Sequence, residues 1–187
     1  MRAPALQIAP LLTRPMLLHA LGHNRCTPQY NSNEMSSFSE PKTEKLIKGS
    51  SMEWAEYNKR QMSRIYPAGV RIDSSNYDPI PSWNVGSQIV ALNYQTSCLQ
   101  MHLNDGKYLD NGSAGYVLKP KALRVANNGF DPISGPYPAE EALNFSIEVM
   151  SASQLPKPGG SAKGEVIDPY IKVKVYGVPA DCKVSIV

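Results

Sequence analysis

Polar and apolar positions along this chain follow two different rhythms. Met35-Ser-Ser-Phe-Ser39 reads as a short strand ended by Glu40 and Pro41. A helix is predicted over 51–62, where Ser50 and Glu53 fit a capping box and Glu56 and Arg60 form an i,i+4 pair. Ser63-Arg-Ile-Tyr66 and the turn Pro67-Ala-Gly69 follow. Gln88-Ile-Val-Ala-Leu-Asn-Tyr94 has a continuous apolar centre, which predicts a strand buried on both faces of a parallel sheet. A last short run, Gly115-Tyr-Val-Leu118, closes at Pro120. This order of strand, helix and buried strands predicts an α/β barrel or open sheet.

After about residue 135 the period becomes two. Phe145, Ile147 and Val149 alternate with Ser146 and Glu148, and Ile171, Val173 and Val175 alternate with Lys172 and Lys174. Such alternation predicts antiparallel strands with one wet face. The Gly/Pro-rich stretch from Leu155 to Gly164 joins the two runs as a loop, and a further strand is expected at Lys183-Val-Ser-Ile-Val187. Residues 129–140, rich in proline, read as the linker between two architectural units unrelated by any repeat.

Composition narrows the function classes. The 187 residues carry 19 Lys+Arg and 16 Asp+Glu. Arg2, Arg14 and Arg25 precede the first acidic residue, Glu34, so the remaining 16 basic and 16 acidic residues cancel. A neutral body argues against a nucleic-acid binder that works by neutralising phosphates. No run of about eighteen apolar residues predicts a membrane-spanning helix. Cys26, Cys98 and Cys182 are too scattered for a disulfide framework or a metal site and are read as reduced thiols. Residues 1–33 are basic, free of acid and broken by Pro4, Pro10 and Pro15, which predicts a flexible leader unrelated to the fold. His19 and His23 within it have the spacing of a helical metal pair but no third ligand.

Several longer motifs occur in order: Met35-Ser-Ser-Phe-Ser-Glu40, Asn58-Lys-Arg-Gln-Met-Ser-Arg-Ile-Tyr-Pro-Ala-Gly69 and Asp73-Ser-Ser-Asn-Tyr77. Trp83-Asn84, Val90-Ala-Leu-Asn-Tyr-Gln-Thr96, Asp110-Asn-Gly112 and Gly115-Tyr-Val-Leu-Lys-Pro120 follow them. Together they resemble the Y half of the catalytic barrel of eukaryotic phosphoinositide-specific phospholipase C. Leu155-Pro-Lys157 and Val166-Ile-Asp-Pro-Tyr-Ile171 resemble the start of that family's C2 domain. The resemblance runs from about residue 34 to the end. Val85-Gly-Ser87 and Gly112-Ser-Ala-Gly115 carry Ser and Ala where many members have Cys or Gly.

The resemblance implies a partial TIM-type (β/α) barrel over 34–128, the linker over 129–140, and a truncated antiparallel β-sandwich of C2 type over 141–187. It implies hydrolysis of phosphatidylinositol 4,5-bisphosphate to diacylglycerol and inositol trisphosphate, through attack of the inositol 2-hydroxyl. Two histidines and a calcium ion assist in the family, and its X half supplies these histidines and the calcium-holding carboxylates. Three positions match family substrate residues: Ser37 and Arg64 bond ring phosphates, and Tyr66 packs on the inositol ring. Their chemistry suits those roles, since a guanidinium can fork onto phosphate and an aromatic face can cover a sugar-like ring. On a strand, Arg64 and Tyr66 point to one side. Taken singly, Arg64 reads as a solvated charge, Tyr66 as a core aromatic and Ser37 as a turn former.

Asp168 matches an aspartate of the first C2 calcium loop, although a lone Asp before Pro also reads as a turn residue. No catalytic residue is expected in this chain: His102 matches no catalytic position, and Asp73 and Asp105 stand alone. The expectation is a fragment or truncated isoform that binds phosphoinositide lipid at a membrane surface, with cytoplasmic location and peripheral attachment. Turnover would then need an X-half chain. The alternative is a catalytically inactive phosphoinositide-binding or regulatory protein. Half a barrel is expected to leave open strand edges and an uncovered interior.

Overall fold

In a computed structural model of the chain, residues 35–125, 128–135, 145–157, 169–182 and 184–186 are described. The chain divides into two compact units, Met1–Tyr137 and Pro138–Val187. The first contains β1 (Met35–Ser39), α1 (Glu40–Arg60), β2 (Met62–Tyr66), α2 (Ile80–Asn84), β3 (Ile89–Val90) and α3 (Leu99–Lys107). Short 3-10 turns follow at Asn111–Ser113 and Lys121–Leu123.

The three strands form one parallel sheet in the order β1-β2-β3. Its registers are Ser37 opposite Arg64, Phe38 opposite Ile65, Ser39 opposite Tyr66, Arg64 opposite Ile89 and Ile65 opposite Val90. Parallel neighbours need a crossover, and α1 provides it between β1 and β2. Side chains alternate across the sheet, so Phe38, Ile65 and Val90 share one face and are buried there. Trp54 of α1, also fully buried, meets Phe38 edge-on at 4.8 Å and stacks on Tyr57 at 5.0 Å. Leu46, Ile47, Tyr77, Trp83 and Val85 complete this core.

The helix predicted over 51–62 starts earlier, at Glu40, and ends at Arg60. Pro41 ends the strand and also sits in the first helical turn, where its missing N–H costs nothing. Ser50 departs from helical geometry, with φ −155° and ψ 52°, so the residue that resembled a cap marks a kink inside one long helix. At the far end, α1 is closed by side chains from outside it. Gln88 Nε2 donates to the carbonyls of Asn58 (2.8 Å) and Gln61 (2.9 Å), and Lys119 Nζ donates to Asn58 as well (2.8 Å). Asn58 Nδ2 donates to the Val85 carbonyl at 2.9 Å, while its Oδ1 accepts from Ser63 Oγ at 2.7 Å. These bonds satisfy carbonyls that a helix end leaves without partners. Gly86 lies against them at φ +79°, a conformation that favours glycine.

Two strands of the first unit depart from expectation. The run 88–94 contributes only Ile89–Val90 to the ladder, and Ile89 is 37% exposed, so this strand is buried on one face rather than two. Gly115–Leu118 forms no strand, and Tyr116 and Leu118 stand in solvent. An α/β unit with a parallel sheet of this kind fits a partial barrel.

In the second unit β4 (Lys172–Lys174) pairs antiparallel with β5 (Val184–Ile186), as period-two alternation requires. Phe145, Ile147 and Val149 are exposed and belong to no strand, so alternation alone did not make a ladder there. Among the described residues no sandwich is built. Residues 1–33, with Cys26 and both their histidines, lie outside the described residues, as do 158–164 of the predicted loop and 136–140 of the linker.

Candidate functional site

The face of the sheet opposite Phe38 and Ile65 carries Ser37, Ser39, Arg64, Tyr66 and Ile89. Ser37 and Arg64 are direct cross-strand partners, and Ser39 and Tyr66 are the next such pair toward the strand ends. Cross-strand neighbours lie about 5 Å apart, and alternate residues of one strand share a side. The parallel register therefore brings Ser37, Arg64 and Tyr66 onto one face, although 27 positions separate Ser37 from Arg64 in the chain. Arg64 holds its guanidinium carbon 5.5 Å from the Tyr66 ring centroid, within cation–π range. Tyr66 is 37% exposed and Arg64 half-buried. Among the described residues no carboxylate pairs with Arg64.

The loops after β2 and β3 fold over the strand ends through side-chain bonds. Glu40, buried and next to Ser39, receives a two-pronged pair from Arg71: Nη2 to Oε1 at 2.5 Å and Nε to Oε2 at 2.7 Å. The Ala68 N–H donates to the same Oε2 at 3.1 Å, and Arg71 Nη1 donates to Ser75 Oγ at 3.1 Å. The Arg71 guanidinium holds the Glu40 carboxyl below the ordinary carboxylate range, against the opposing effect of burial. The Asn76 side chain bonds the Asn93 backbone twice, donating from Nδ2 to its carbonyl at 3.0 Å and accepting from its N–H at Oδ1 at 2.6 Å, while Asn93 Nδ2 donates to the Ser75 carbonyl at 3.1 Å. Thr96 Oγ1 reaches the Ser74 carbonyl at 2.8 Å. The motif Asp73-Ser-Ser-Asn-Tyr77 is thus a framework for two loops. Tyr77 is buried, which pushes its phenol upward, and its hydroxyl has no hydrogen-bond partner among the described residues.

Other candidates stand apart. His102 lies exposed on α3, and Asp105 is exposed three residues later. Asp73 accepts from the Ser75 N–H at 3.1 Å, which makes it a turn former. Asp168 lies outside the described residues. Among the described residues no group of three or more His, Cys, Asp or Glu is placed to hold a metal ion. Glu40 and Arg71 escaped sequence reasoning because they sit 31 positions apart, beyond any local spacing rule.

A family model for "Phosphatidylinositol-specific phospholipase C, Y domain" matches residues 15–122. The chain belongs to that family. The match to the phospholipase C Y domain begins ahead of Glu34, inside the segment whose composition suggested an unrelated leader. Human 1-phosphatidylinositol 4,5-bisphosphate phosphodiesterase delta-3 is 41% identical over 185 residues, which cover 97% of this chain and 23% of that protein. The human eta-1 phosphodiesterase is 45% identical over 150 residues, 78% of this chain and 9% of the other. Among solved structures, a crystal structure of S. officinalis PLC21 superposes with a TM-score of 0.54 at 44% identity. It covers 55% of this chain and 13% of that one. The chain therefore spans less than a quarter of the length of these relatives.

Proposed function

We propose that this chain supplies the headgroup-binding side of a phosphoinositide phospholipase C, acting on phosphatidylinositol 4,5-bisphosphate. The observation that carries the reading is the convergence of Ser37, Arg64 and Tyr66 on one accessible sheet face, with Arg64 unneutralised among the described residues. Arg64 can donate a fork of hydrogen bonds to a ring phosphate, and the Ser37 hydroxyl can donate from the adjacent strand. Tyr66 offers a flat apolar surface to the inositol ring, once Arg64 turns from it toward phosphate. Relatives named as phosphatidylinositol 4,5-bisphosphate phosphodiesterases support this substrate class.

General acid–base steps at phosphorus need titratable groups flanking the reacting centre. Among the described residues the open face presents no histidine or carboxylate, so those groups would come from an X half packed against it, which is the partner this reading requires. Calcium would be held by carboxylates of that half. The described residues of this chain do not fit a calcium site. Asp168 would contribute to a C2 calcium loop in the second unit. The protein would work in the cytoplasm and meet its lipid peripherally. No helix among the described residues is long and apolar enough to cross a membrane.

Binding without turnover is the second reading, favoured by the place of His102 on α3 and not on the strands that carry Ser37, Arg64 and Tyr66. Lipid hydrolysis assayed with calcium, for the chain alone and with a separately made X half, separates the two. Turnover only in the mixture, abolished by Arg64→Ala, supports the enzyme reading. Lipid binding that Arg64→Ala removes, with no turnover in either sample, supports the second. Turnover by the chain alone would overturn the division of labour.

A further inference from the structure

Tyr66 is the last residue of β2, and no hydrogen bond of its own hydroxyl fixes it among the described residues. Its ring is aimed by the backbone on either side. Before it, the β1–β2 ladder holds the strand through Ser39 opposite Tyr66. After it, the chain turns at Pro67, and the next N–H, of Ala68, is bound by Glu40 Oε2. Glu40 is itself anchored, as the residue that follows Ser39 and opens α1. Arg71 occupies both Glu40 oxygens and returns the loop onto Ser75, with the turn Arg71 N to Ala68 O closed at 3.0 Å.

We infer that Glu40 and Arg71 act as positioning residues for Tyr66, fixing the ring at the angle that an inositol headgroup meets. This rests on the substrate-binding reading above. The physical case is geometric. A forked carboxylate–guanidinium pair fixes direction as well as distance, which a single-point lysine pair does not. One carboxylate holds the backbone two residues beyond the ring, and the same residue adjoins the strand partner of that ring. Displacements in the loop are thereby passed to Tyr66 with little slack. A recognition group displaced by about 1 Å loses much of its value, so the clamp acts on affinity without touching ligand.

The test uses the full chain with isotope-labelled tyrosine, the Tyr66 ring signal being assigned through Tyr66→Phe. Soluble inositol trisphosphate is the probe. Glu40→Gln keeps the size of the side chain and removes the charge. It is expected to shift or split the Tyr66 signal without ligand and to weaken probe binding about tenfold, while Tyr57 and Tyr108 keep their signals. Arg71→Lys, which retains charge and loses the fork, should do the same to a smaller degree. The exchange pair Glu40→Arg with Arg71→Glu should restore part of both readouts. A lower melting temperature with Tyr66 signal and affinity unchanged would overturn the inference and leave the pair purely structural. Where Glu40→Gln does not fold, Arg71→Lys decides by the same signals. Failure of the native chain to bind the probe would strike the substrate-binding reading. The ligand-free Tyr66 signal would still decide whether the clamp aims the ring.

Discussion

The two faces of the three-stranded sheet are made from the same strands, one residue out of step. On one face Phe38, Ile65 and Val90 disappear under α1, with Trp54 as the central filler. On the other, Ser37, Arg64, Tyr66 and Ile89 meet solvent or only partial cover. The pleat thereby separates the face that stabilises the fold from the face proposed to recognise lipid. The buried face tolerates little change in volume, because close-packed interiors relax only partly around a void. On the proposed reading, substitutions on the open face should cost little stability and should cost binding where they touch the headgroup.

That contrast can be broken from either side. Trp54→Ala removes the largest fully buried side chain and should cost roughly 3–5 kcal/mol, read as a shift of the denaturation midpoint. Arg64→Ala should leave the midpoint within about 0.5 kcal/mol of the native value. Its effect should appear in headgroup titration instead, where losing charge-assisted bonds worth about 1.5–3 kcal/mol weakens binding roughly 10- to 100-fold. Equal loss of stability for both variants would erase the distinction between the faces. A smaller effect concerns the loop edge. Glu40 has a lowered pKa in the folded chain, so it stabilises the fold above its ordinary value of 4.5. That contribution is lost as pH falls through the lowered pKa. The melting temperature should be flat near neutrality and fall on the acid side, and Glu40→Gln should remove that part of the slope. Smallest of all, Tyr66→Phe keeps the ring and should change stability by less than about 0.5 kcal/mol, with headgroup affinity near native.

Much of the open face was legible in sequence because it depends on strand alternation and on long motifs. Arg64 and Tyr66 two apart required only that residues 62–66 be extended. Their meeting with Ser37 depended on the parallel register, which no local rule supplies, and came instead through the family resemblance. The missed half of α1 has a physical reason as well. Pro41 reads as a strand stop until it is placed in a first turn, and Ser50 reads as a helix start because it departs from helical geometry, though within a continuing helix. The run 88–94 misled in another way. Its apolar centre predicts cover on both sides, whereas the Ile89 side is 37% exposed. In the second unit the period-two signal of Phe145, Ile147 and Val149 was real, but a ladder also needs a partner strand, and alternation cannot specify one.

The Asn58 cluster has a consequence for the timing of motion. Its donors and acceptors come from the end of α1, the start of β2, the turn before β3 and the segment at Lys119. The bonds tie these four segments to one another. The Ser63 amide, which donates to Gln88 Oε1 at 3.0 Å, should therefore trade its proton with solvent only when the whole cluster opens together. The exposed turn at Asn111–Ser113, held by longer bonds of 3.3 Å, should trade in fast local events. Exchange should thus run on a slow clock where the helix ends and on a fast one at the surface turn.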